Sequence, residues 1–114
     1  MITKKGVEKM NLDNGIKLSA EFNDVNQNLV ILMEECAETI KVASKILRFG
    51  IDNFSPSEDK LNFEVLEQEI GDVQAMVDIL VENNIGISKE GIEEARQKKI
   101  RKLIKYYKEA VNIY

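Results

Sequence analysis

Histidine is missing from the 114 residues, and cysteine and proline occur once each, as Cys36 and Pro56. The first absence excludes the most. Without histidine there is no Ser-His-Asp triad, no Cys-His pair, no zinc site of the usual mixed kind and no Glu-x-x-His di-iron bundle. Oxygen chemistry is what remains. An all-carboxylate site selects hard cations, and Mg²⁺ or Mn²⁺ where the ligand is a phosphate compound. One cysteine cannot close an internal disulfide, which suits a reducing compartment, and the setting of Cys36 in an apolar helical run reads as a core position. There is no basic excess either: a formal charge of −4 argues against a general nucleic-acid binder, whose phosphate contacts need Lys and Arg in surplus. No stretch approaches the roughly 20 apolar residues that span a bilayer, and Met1 to Gly6 leads into no apolar signal segment. A soluble cytoplasmic protein without membrane partners is the expected class.

What the chain does have is helical periodicity almost throughout, with 44% apolar residues, enough for one compact domain over 1–114. Asn11 to Gly15 reads as a turn between short helical pieces. From an N-cap at Asn23 or Asp24, apolar residues recur at Val25, Leu29, Leu32, Cys36, Ile40, Ala43 and Leu47, three and four apart, as the core stripe of a long amphipathic helix. That helix should end near Phe49-Gly50, with Lys45 and Arg48 in the last turns, where positive charge suits the helix dipole. A polar loop from Ile51 to Asp59 follows, with Ser57 a candidate N-cap. The next stripe is Phe63, Leu66, Ile70, Val73, Val77 and Leu80, until Asn83, Asn84 and Gly86 stop the helix. Ser88 can cap a last helix whose basic face runs from Arg96 to Lys105. The fold class is therefore all-α, with the first two long helices as antiparallel neighbours.

Acids interrupt these stripes. Glu35 with Glu38, and Glu69 with Asp72, are spaced i, i+3, so on a helix each pair of carboxylates emerges about one turn apart and roughly 60° around the axis. Each pair can offer oxygen ligands to one cation. The row beside the first stripe reads Asn28, Ile31, Glu35, Glu38, Val42, Lys45; beside the second it reads Val65, Glu69, Asp72, Met76, Ile79. Ordinary solvated acids would explain any one such pair. Two pairs beside apolar stripes of neighbouring helices place four carboxylates together, and bound cations or raised pKa values must then relieve their repulsion.

Glu34-Glu35-Cys36-Ala37-Glu38 followed by Glu69-Ile70-Gly71-Asp72 resembles the EExxE and ExxD motif pair of the MazG-like all-α nucleoside triphosphate pyrophosphohydrolases. Ser44-Lys45-Ile46-Leu47-Arg48-Phe49-Gly50 resembles a stretch of their small phage and bacterial members. The likeness covers roughly Gln27 to Val81. It implies an antiparallel helical bundle, completed or extended as a homodimer or homotetramer, that converts a nucleoside triphosphate to the monophosphate and pyrophosphate. By motif matching, Glu35, Glu38, Glu69 and Asp72 would hold Mg²⁺, with Mn²⁺ a substitute, and Glu35 would be the base, Glu34 in reserve.

Around that site, Lys45 and Arg48 return to nearly the face of Glu38 and are candidates for the leaving pyrophosphate, with dipole complementarity an equal alternative. Asn28 and Met76 are candidates for the nucleoside end, though neither identifies a base. Lys98, Lys99, Arg101 and Lys102 read first as a solvated helix face. Two other classes of function stay open: a non-catalytic nucleotide-binding sensor, and a helical interaction module whose acids are structural.

Overall fold

The computed structural model describes residues 21–55 and 58–113. The turn expected at Asn11 to Gly15 and the cap expected at Ser57 lie outside the described residues. Those described are mostly helical: α1 spans Val25–Phe49, α2 Asn62–Glu82 and α3 Lys89–Ile113. Between α1 and α2, β1 (Phe54–Ser55) pairs antiparallel with β2 (Lys60–Leu61), Phe54 opposite Leu61 and Ser55 opposite Lys60. The chain divides into two units, one ending at Asn84 and one beginning at Ile85.

The caps explain the helix limits. Asp24 Oδ1 accepts from the Gln27 amide at 3.1 Å, satisfying an amide that the first helical turn leaves unpaired. At the other end the Gly50 amide donates to Ile46 O at 2.8 Å, and Gly50 then takes φ +99°, a conformation that side chains disfavour. α2 begins at Asn62, beyond the start expected near Ser57, because residues up to Leu61 are held in the small ladder. Glu64 Oε1 caps this start by accepting from the Leu61 amide at 3.0 Å. Asn84, at φ +59°, and Gly86, at φ +104°, turn the chain after α2.

Buried amides tie the two helices together antiparallel. Near the start of α1, Asn28 Nδ2 donates to Asn83 Oδ1 at 2.8 Å, just past the end of α2. At the opposite end, Asn62 Nδ2 donates to Gly50 O at 2.9 Å, joining the start of α2 to the end of α1. Between these clamps Val42, Val65, Met76 and Leu80 form the buried apolar core.

This seam corrects the expected core. The stripe Leu29, Cys36, Ile40, Leu47 faces solvent, and the row containing Asn28, Ile31, Glu35 and Val42 turns toward α2. On α2 the correction is partial: Val65 and Met76 from the acid-bearing row are buried together with Leu80 of the expected stripe, Leu66, Val73 and Val77 are half-buried, and Phe63 and Ile70 are exposed. Cys36 is exposed, not a core residue. The physical reason is that a helix pair covers one narrow seam of each partner, and here the rotation of α1 is set by a buried, doubly bonded Asn28. In that position both hydrogens of the buried amide are paired, so its burial carries no unsatisfied polar group.

α3 stands in the second unit. Ser88 Oγ accepts from the Gly91 amide at 3.0 Å, the cap expected there. Glu93 takes a bidentate contact from Arg96, at 2.8 and 2.7 Å, and a bond from Gln97 at 2.8 Å. Lys89 to Glu109 is exposed throughout, including Lys98, Lys99, Arg101 and Lys102. Among the described residues no helix is long and apolar enough to cross a membrane.

Candidate metal centre

Three of the four motif acids converge. Glu35 from α1 and Glu69 and Asp72 from α2 each offer a carboxylate oxygen, and the three oxygens lie within 4.8 Å of one another. The i, i+3 spacing on α2 brings Glu69 and Asp72 to the same side of that helix, and the rotation that buries Asn28 brings Glu35 round to meet them. Around Mg²⁺, bonds of about 2.1 Å put ligand oxygens roughly 2.9 Å apart in cis and 4.2 Å in trans. Oxygens that all lie within 4.8 Å of one another are on that scale, so the donor set suits a hard cation.

Electrostatics agree with a site short of positive charge. The Glu35 carboxyl is pushed up from its ordinary range, first by partial desolvation and then by the charge of Asp72, with Glu34 and Glu38 adding and a hydrogen bond to Asp72 favouring the protonated form. Glu69 is also raised, again first by desolvation, then by Asp72, Glu35, Glu38 and Glu58. A divalent cation between these groups would reverse the charge terms.

Glu38 does not join the triad. It lies one turn from Glu35 but about 60° around the axis, with its side chain 52% exposed and its Oε1 3.9 Å from Lys41 Nζ. Its charge still reaches Glu35 and Glu69. Glu34 is exposed. Thr39, which the sequence did not single out, donates its hydroxyl to the Glu35 carbonyl at 2.8 Å and so pins the backbone at the ligand. Gly71, between the α2 acids, has nothing within 4 Å of where a Cβ would stand, so no close contact requires glycine there.

Lys45, Arg48 and Asn28 lie two turns or more along α1 from Glu35, and Met76 one turn from Asp72 on α2. Lys45 is ten residues beyond Glu35, about 15 Å along α1 at ~1.5 Å per residue. It lines a cavity of about 350 Å³ with Phe49, Asn53, Phe54, Ser55 and Asn62 at the hairpin end. Ser55 is buried there, and among the described residues its hydroxyl has no hydrogen-bond partner. Nothing in a short Asn- and Ser-rich loop would have distinguished this serine from a solvated one. Arg48 places its guanidinium 5.1 Å from the Phe49 ring centroid, a cation–π contact. At the other end Asn28 has both amide hydrogens engaged, by Asn83 Oδ1 and by Phe22 O at 3.0 Å. Met76 is buried in the seam.

No protein-family model, curated protein or solved structure matches this chain.

Proposed function

We propose that this chain is a MazG-like, Mg²⁺-dependent nucleoside triphosphate pyrophosphohydrolase acting in the cytoplasm, with Mn²⁺ able to substitute. The observation that carries this reading is the convergence of Glu35, Glu69 and Asp72 from two helices onto a volume the size of one cation's coordination shell. When bound, the cation neutralises triphosphate oxygens and makes a water more acidic, chemistry that needs no histidine. Glu35, Glu69 and Asp72 would hold it. Water attacks the α-phosphorus, the bond to the bridging oxygen breaks, and pyrophosphate leaves with that oxygen. Glu35 is the candidate to take the proton of the attacking water, with Glu34 in reserve. Lys45 and Arg48, one helix end away, are candidates to receive the pyrophosphate, and Asn28 and Met76 remain the candidates for the nucleoside end. A second copy completes the helical bundle as a homodimer, or two pairs form a homotetramer, covering apolar residues that one chain leaves exposed.

The test is pyrophosphate release from each dNTP and NTP, dUTP included, at neutral pH with Mg²⁺ and with EDTA. Monophosphate and pyrophosphate appearing only with metal is the expected result, and the ranking of rates names the base. Nucleotide binding without turnover would replace the enzyme by a sensor. Absence of both binding and a Mg²⁺ thermal shift would leave a helical interaction module with structural acids.

A further inference from the structure

We infer that the hydroxyl of Thr39 is the donor with which the carboxylate centre takes hold of a triphosphate oxygen. The inference rests on the function proposed above and adds one contact residue to it. It starts from the seam between the helices. α1 turns Asn28, Leu32, Glu35, Thr39, Val42 and Ile46 inward, four and three residues apart, and each is buried or half-buried. The neighbours of Thr39 on the other faces, Glu38, Ile40 and Lys41, are exposed. Thr39 therefore lies in the seam, about 40° around the axis from Glu35.

Its level along the seam follows from the two amide clamps. One sets Asn28 beside Asn83 at 2.8 Å, and the other sets Asn62 beside Gly50 at 2.9 Å. Counted inward residue by residue, Thr39 comes opposite Asp72 from the first clamp and opposite Val73 from the second. At that level the seam is made of acceptors. Glu35, Glu69 and Asp72 accept only, once ionised, and the layers to either side are apolar, with Leu32 and Met76 on one side and Val42 and Val65 on the other. Among the inward positions of α1 and α2 between the clamps, Thr39 alone has a side-chain proton to give to an ionised site.

The fold makes little use of that proton. Thr39 Oγ1 donates to the Glu35 carbonyl at 2.8 Å, but this carbonyl lies inside α1, where the Thr39 amide is already its helical partner. A threonine bond back to such a carbonyl slightly disfavours the helix. Valine, branched at the same carbon, would fill the seam without it. Helical threonine has two common χ1 wells, and a turn of about 120° between them takes Oγ1 off the carbonyl. The released hydroxyl donates to a phosphate oxygen at the carboxylates, a charged acceptor that makes a stronger bond than a carbonyl does.

The experiment compares the full chain with Thr39→Val and Thr39→Ser in three readouts. These are the Mg²⁺ thermal shift without nucleotide, calorimetric binding of the α,β-imido analogue of each dNTP with Mg²⁺, and pyrophosphate release from the dNTPs themselves. Thr39→Val should keep the wild-type Mg²⁺ shift and melt at or above wild type, while it binds the analogue about tenfold more weakly and raises KM by a similar factor. Thr39→Ser should recover binding to within about threefold. Equal affinity in wild type and Thr39→Val would overturn the inference and leave the proposed function standing. Serine as weak as valine would assign the loss to packing, and loss of the Mg²⁺ shift in Thr39→Val would make Thr39 a support of Glu35; either result overturns the contact. A wild-type chain with neither a Mg²⁺ shift nor nucleotide binding would overturn the proposed function and this inference with it. Because binding is read without turnover, a chain that binds and does not hydrolyse still decides the role of Thr39.

Discussion

Replacing Asn28 by alanine should destabilise the helix pair while sparing the carboxylates. Asn28 is 3% exposed and donates both amide hydrogens, to Phe22 O at 3.0 Å and to Asn83 Oδ1 at 2.8 Å. Phe22 O keeps a second donor in Asn83 Nδ2 at 2.8 Å, but Asn83 Oδ1 loses the partner it has. Two hydrogen bonds at a net ~0.5–1.5 kcal/mol each give about 1–3 kcal/mol. For a domain of this size that is a fall in Tm of roughly 5–20 °C, read by thermal circular dichroism without metal. Asn83→Ala should cost a similar amount, and the double variant less than the sum, with coupling of about 1 kcal/mol, because both report on one shared bond. A substrate-binding Asn28 predicts the opposite pattern. If Asn28→Ala left Tm within 2 °C or so of wild type and raised KM for a nucleotide, the clamp would be refuted and the amide would belong to the ligand.

Glu35→Gln and Asp72→Asn should each abolish Mg²⁺-dependent pyrophosphate release with the helical signal intact. Without metal the same variants should melt at or above the wild-type temperature, since each removes a like charge from the triad. The pH response has a definite sign. Glu35 and Glu69 have raised folded-state pKa values, so their stabilising contribution is full below the ordinary carboxylate value of about 4.3 and is lost as pH rises through the raised values. Metal-free Tm should therefore fall, as pH rises above the ordinary carboxylate range, more steeply in wild type than in Glu35→Gln, and added Mg²⁺ should remove the difference. Glu93 behaves oppositely: held down to about 2 by Arg96 and then Gln97, it contributes stability above its unfolded value and loses it as pH falls toward 2. Gly71→Ala should raise stability by about 0.5–1 kcal/mol by chemical denaturation, because an added Cβ meets nothing within 4 Å and alanine costs less backbone entropy in a helix.

Helix ends were legible because their signals are local. Asp24, Gly50 and Ser88 act at a helix boundary through bonds to residues three or four away, so sequence neighbours determine them. The inner face of α1 was not legible, because periodicity reports that a stripe exists and not what lies against it. Leu29, Ile40 and Leu47 outweigh Ile31 and Val42 in apolar bulk, yet the lighter row is the one fixed by Asn28 against α2. The β1–β2 ladder escaped notice for a related reason: strands of two residues are too short to show alternation. The start of α2 shifted with it, from the neighbourhood of Ser57 to Asn62. Spacing and antiparallel pairing made a meeting of acids from α1 and α2 readable, but that Glu35 enters and Glu38 does not depends on the rotation of α1, which the residues alone did not show.

The separation of Glu38 from the other three acids has a chemical consequence for the proposed activity. On α2 the residues three apart act as one clamp, because that helix presents the edge bearing Glu69 and Asp72 to the seam. On α1 the same spacing straddles the rim of the seam, so Glu35 enters it while Glu38 leans out toward Lys41. Glu35, Glu69 and Asp72 would hold the cation, which would offset charge on phosphate oxygens. The contact that holds Glu38 outside is an exposed ion pair at 3.9 Å, of a kind worth little, and its long, solvated side chain can turn without disturbing the core. On the proposed function, Glu38 would be free to turn toward the site once metal and phosphate are bound. The metal-free triad avoids one further like charge, and the cost of gathering a fourth carboxylate falls on the state in which positive charge is present to offset it.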